Sequence, residues 1–119
     1  MKKTVTVPIL DVALVFVDDA GEAQREYEKN RTAIEAWVDA KRGYDATDPE
    51  LESICVGYVR DGGGIIIMCV TDGESIVHEA VHAAWEICKY SDIKADYKNQ
   101  EPMSYLTQWI YDQWQEKMG

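Results

Sequence analysis

Residues 65–90 read IIIMCVTDGESIVHEAVHAAWEICKY, and the change of period inside this stretch decides the fold. Ile65 to Val70 is a β-rich apolar run that reads as a strand. Thr71-Asp72-Gly73-Glu74 then makes a capping box, and helical periodicity holds from there through Tyr90. The chain's only two histidines, His78 and His82, fall inside that helix, with Glu79 directly after the first. Two histidines scattered over 119 positions land four apart, with a glutamate after the first, in only about 0.15% of arrangements. Composition alone therefore does not account for the heptapeptide IVHEAVH.

Upstream, Ile54 to Arg60 is a second β-rich run, separated from Ile65 by Asp61-Gly62-Gly63-Gly64, and the pair predicts an antiparallel hairpin with a glycine turn. The glycines do not make a phosphate loop, because no Lys-Ser or Lys-Thr follows and the next element is a strand. Val12 to Val17 (VALVFV) predicts a strand buried on both faces, with Val5 and Val7 forming an edge piece before Pro8. Asp19 and Glu22 form a capping pattern, after which Ala23, Tyr27, Ile34, Trp37 and Val38 recur at helical spacing. This predicts a helix over 20–41, bent or broken near Asn30, and a loop at 44–50. Downstream, residues 91–98 are a polar connection, and Asn99 is the expected cap of a last helix. Met103, Leu106, Ile110 and Trp114 mark that helix's buried side, and Pro102 fits its first turn. The order strand, helix, strand, strand, helix, helix gives a single α+β domain over 1–119, a small mixed or antiparallel sheet packed on helices.

Apolar residues make up 46% of the chain and charged residues 29%, which is globular composition. A net charge of −10, with the acids spread along the chain, repels phosphate backbones, so direct nucleic-acid binding is not expected. Cys55, Cys69 and Cys88 are odd in number, lie in apolar runs and show no CxxC spacing; they read as buried thiols in a reducing, cytoplasmic compartment. The N-terminus imitates a secretion signal, but Asp11 interrupts the apolar run and no small-residue cleavage site follows. No apolar stretch approaches the length of a membrane span, so no membrane partner is expected.

One helical turn apart, His78 and His82 stack on one face and can reach one ion, while Val77, Val81, Ala84 and Cys88 line the adjoining apolar face. Two imidazoles and one carboxylate would leave the fourth tetrahedral position of zinc open to water. Glu79 points about 100° around the helix from His78 and is better placed as a general base than as a ligand. Glu101 is the candidate third ligand: it lies across a connecting loop in the first turn of the next helix, where a carboxylate also suits the helix dipole. Asp92, Asp96 and Glu86 stand in reserve. For the oxyanion donor that acyl chemistry needs, Tyr105 is the candidate, one turn after Glu101, with Tyr97 and Tyr90 behind it.

HEAVH on a helix after a hairpin, followed by NQEPMSYLTQWI, resembles small phage-encoded zinc metallopeptidases of the zincin class. The likeness covers roughly residues 54–115. It implies a zincin-like fold with an active-site helix and a C-terminal helix. It also implies one zinc ion per chain held by His78, His82 and Glu101, and Glu79 as general base, as in gluzincins. Thermolysin-like enzymes carry an aspartate four residues after the third ligand, where Tyr105 stands here. The implied function is zinc-dependent hydrolysis of peptide bonds, with a peptide or protein substrate, in the host cytoplasm if the chain is phage-encoded. The alternative is a noncatalytic zincin-fold acidic protein that binds or inhibits a host protein, its zinc holding the last two helices together.

Overall fold

The computed structural model describes residues 1–34, 53–60 and 63–119. Four strands form one mixed sheet: β1 (Lys2–Thr6), β2 (Val12–Val17), β3 (Ser53–Arg60) and β4 (Gly63–Val70), in the order β1-β2-β4-β3. β1 pairs antiparallel with β2, β2 parallel with β4, and β3 antiparallel with β4. The helices are α1 (Ala20–Lys29), α2 (Ile76–Tyr90) and α3 (Glu101–Met118), with a single 3-10 turn at Gly73–Ser75 before α2. The expected mixed α+β architecture is present; β1 pairs through Lys2–Thr6, and the amide of Val7 closes the following turn onto the Val12 carbonyl.

The period-2 alternation of β2 and β4 sends their side chains into two separate cores. Leu14, Phe16, Ile66 and Met68 point to one face and pack against Ala80, Ala83, Ile87, Ile110 and Trp114 of α2 and α3. Val15, Val17, Ile67 and Cys69 point to the other, against Tyr27 of α1 and Ile34. Because both central strands are covered twice, they read as continuous apolar runs, as a buried parallel pair must. Trp114 seals the first core on Phe16, ring centroids 5.1 Å apart. All three cysteines are buried thiols outside any disulfide, as expected.

Several boundaries differ from the sequence expectation. Asp19 caps α1, its carboxylate accepting from the Glu22 amide at 2.9 Å, and α1 stops at Lys29 with helix resuming at 31–34, which is the break expected near Asn30. The rest of the expected helix, Trp37, the 44–50 loop and Asp61-Gly62 lie outside the described residues. Gly63 and Gly64 belong to β4, opposite Arg60 and Val59, instead of to the turn. Asp72, the second residue of the expected capping box, accepts from the Glu74 amide at 3.0 Å and caps the 3-10 turn, so α2 begins only at Ile76. Asn99 is taken up in a bridge with Asp96, and Gln100 occupies the cap of α3.

The glycine at 64 has a packing reason. A Cβ there would lie 2.8 Å from Cγ and 2.9 Å from Cδ2 of Tyr90, the last residue of α2, and one at Gly57 would meet the Tyr90 hydroxyl at 2.9 Å. The two glycines form a notch that lets the C-terminal end of α2 lie directly on the sheet. This contact fixes how α2, and the histidines on it, sit above β3 and β4.

Candidate metal centre

α2 follows β4 at the carboxyl end of the parallel pair, where doubly covered sheets present their crevices. Its buried stripe runs through Ile76, Ala80, Ala83, Ala84 and Ile87. At about 100° per residue, His78 and His82 leave the helix roughly opposite that stripe. His78 is exposed and His82 half-buried. Their rings meet edge to face, centroids 4.9 Å apart, and their Nε2 atoms are 3.2 Å from each other. Two nitrogens bound to one zinc ion at about 2.0–2.1 Å and a tetrahedral angle stand about 3.3–3.4 Å apart. The imidazoles thus converge to within about 0.2 Å of the spacing a shared ion requires.

Glu79 is buried, 5% exposed, on the flank of α2 between the histidine ridge and the core. It lies in the first turn, where the helix dipole favours a carboxylate. One ligand atom from each of His78, Glu79 and His82 falls within 4.8 Å of the others, and among the described residues this is the one such group able to hold a metal ion. Its negative charge also reaches the carboxyl end of the sheet. Burial first, then Asp19, Glu79 and Asp18, push the Cys69 thiol up from 9.0 to about 11. Glu86 lies on the same flank two turns on, buried, its Oε2 3.3 Å from where a Gly57 Cβ would stand. Tyr90 beside it is held well above its ordinary value by burial, Glu86 and Cys55, so it is a neutral phenol across the physiological range.

The structure does not bring Glu101 to this group. Cys88 Sγ lies 4.0 Å from Met103 Sδ, and one groove is lined by Val77 and Trp85 together with Tyr111 and Met103, so α3 runs back along α2. In that register Met103 is level with Cys88 and Glu101 stands near the level of Tyr90, about eight residues or ~12 Å along the axis beyond His82. The physical reason is the length of α2, which continues two turns past His82 to Tyr90 and so starts α3 too far down. Glu101 is exposed there as the first residue of α3. Tyr105 is 72% exposed and Tyr97 88%, while Tyr90 is committed to the glycine notch. Asp92 and Asp96 are exposed in the connection, Asp92 with φ 54°. Val77 and Val81, expected on an apolar packing face, are instead 53% and 36% exposed. A helix whose apolar arc exceeds what one core contact needs was the signal for that, since residues 76, 80, 83 and 87 already suffice.

No described helix is long and apolar enough to cross a membrane. No known family's model matches the chain, and neither a curated protein nor a solved structure does. What stands is a compact α+β protein with a His78-Glu79-His82 group that could hold a metal ion.

Proposed function

We propose that the chain is a zinc-dependent metallopeptidase in which His78 and His82 hold the ion and Glu79 is the general base. The observation that carries the reading is the 3.2 Å approach of the two Nε2 atoms beside a buried carboxylate, all three on the first two turns of one helix. Bound there, a zinc ion would polarise a scissile carbonyl and acidify water at its open positions. Glu79 then takes the proton of the attacking water as its oxygen bonds to the carbonyl carbon, and delivers that proton to the amine as the C–N bond breaks. Burial and the nearby helix N-terminus hold the carboxylate in place for both transfers.

The origin of the group in a single helix argues against a purely structural ion. A metal bridging positions 78, 79 and 82 ties one turn of α2 to itself and would not hold α2 to α3, whose contact rests on Cys88, Met103, Ile110 and Trp114. The test is Glu79→Gln. It should retain zinc, because both imidazoles remain, and lose about 10²–10⁴-fold in peptide hydrolysis, the usual worth of a positioned base. Hydrolysis at the wild-type rate in that variant would remove the assignment.

A further inference from the structure

We propose that the groove between α2 and α3 is the specificity subsite of the same centre and receives a large apolar side chain of the peptide substrate; this rests on the metallopeptidase reading. The groove has a volume of about 560 Å³, with Val77, Val81 and Trp85 on one wall and Met103, Thr107 and Tyr111 on the other. That is within the range of pockets that take small ligands. Three of the exposed large hydrophobic side chains among the described residues, Val77, Val81 and Trp85, fall on this one helix flank. An apolar patch left open to water in that way marks a binding surface. None of the lining residues is charged, in a chain of which 29% is charged, so the groove selects against acidic or basic side chains through desolvation.

The occupant follows from what borders the groove. Val81 is three residues after His78, and Trp85 three after His82, so Val81 and Trp85 each have a Cβ about 5–6 Å from that of a histidine. An extended peptide advances about 3.3 Å per residue. A carbonyl held at the two imidazoles therefore places a side chain one or two positions away over Val81 and Trp85. Cleavage should concentrate at bonds within two residues of Leu, Met, Phe or Trp.

The experiment uses the full chain, zinc-loaded, with blocked peptides identical except for Phe, Ala or Asp at one position, and reads both cleavage and binding. In the wild type, kcat/KM should be at least tenfold higher for the Phe peptide than for Ala, and higher again than for Asp. In Glu79→Gln, calorimetry should give a Kd at least tenfold lower for Phe than for Ala. Val81→Gln and Trp85→Ala, both at exposed positions, should bring those ratios toward one with zinc content unchanged. Equal binding of the three peptides, or a Phe preference untouched by both variants, would overturn the groove assignment while leaving the zinc centre standing. Absence of any cleavage together with an intact Phe preference in binding would overturn the hydrolytic reading and leave the groove as a peptide site.

Discussion

Substituting Gly64 by alanine tests how α2 is seated, and its sign should depend on Tyr90. The new Cβ would lie 2.8 Å from Cγ, 2.9 Å from Cδ2 and 3.0 Å from Cβ of Tyr90. These atoms belong to the base of the side chain, so no rotamer change moves them all away. Overpacking of this kind costs about 1–3 kcal/mol, while replacing glycine by alanine in a strand returns about 0.5–1 kcal/mol of backbone entropy. Gly64→Ala should therefore destabilise the protein by about 1 kcal/mol, roughly 3–5 °C in Tm for a domain of this size. In a Tyr90→Ala background only the 3.0 Å approach of the residue 90 Cβ remains, and the same change should become neutral or stabilising. Urea melts of the four proteins give the coupling energy directly, expected at about 1–2 kcal/mol. Equal effects of Gly64→Ala in both backgrounds would refute the notch and with it the account of how the histidine helix is held.

Three further outcomes follow from the structure. Ile9 is fully exposed, at 104% relative accessibility, with φ 70°; a left-handed backbone costs an L-residue about 1–2 kcal/mol. Ile9→Gly should accordingly raise Tm by a few degrees in thermal denaturation. The Cys69 thiol holds its proton more tightly in the folded state, about 11 against 9.0, so its contribution to stability is complete below pH 9 and falls away between pH 9 and 11. That difference amounts to about 3 kcal/mol at most, and Cys69→Ala should flatten the stability profile over that window in urea titrations. Tyr90, also raised, extends the loss above pH 10 in the parent protein. Trp114→Ala removes a 5% exposed ring packed at a tilt against Phe16 and should cost about 3–5 kcal/mol, read as a matching drop in the urea midpoint.

The parts of the fold legible in the sequence were those governed by local periodicity. β2 and β4 declared themselves by unbroken apolar runs, α1 by the Asp19 cap, and α2 by an apolar stripe whose period survives through Tyr90. The glycines at 63 and 64 misled because glycine signals a turn when its neighbours are unknown; only the approach of Tyr90, 26 residues later in the chain, turns Gly64 into a strand residue with a purpose. The boundary of α2 moved for a similar reason: the Asp72 carboxylate serves a short 3-10 turn first. Within the site, His78, Glu79 and His82 were readable because i, i+1 and i+4 on one helix fix their own geometry. Glu101 was not, since its distance depends on how far α2 runs and on the register of α3 against it, which the Cys88–Met103 contact sets. Val77 and Val81 looked like core because hydrophobicity shows that a face wants cover and does not show whether the protein supplies it.

The most direct test of the central claim is zinc stoichiometry by elemental mass spectrometry after equilibrium dialysis of untagged protein, in parallel with His78→Ala, His82→Ala, Glu79→Gln and Glu101→Ala. The account predicts close to one zinc per wild-type chain, loss in both histidine variants, and retention in Glu79→Gln and in Glu101→Ala. Loss in Glu101→Ala would contradict the separation found between α3 and the histidines. Absence of zinc from the wild type when the ion is supplied, or unchanged content in both histidine variants, would contradict the metal centre itself.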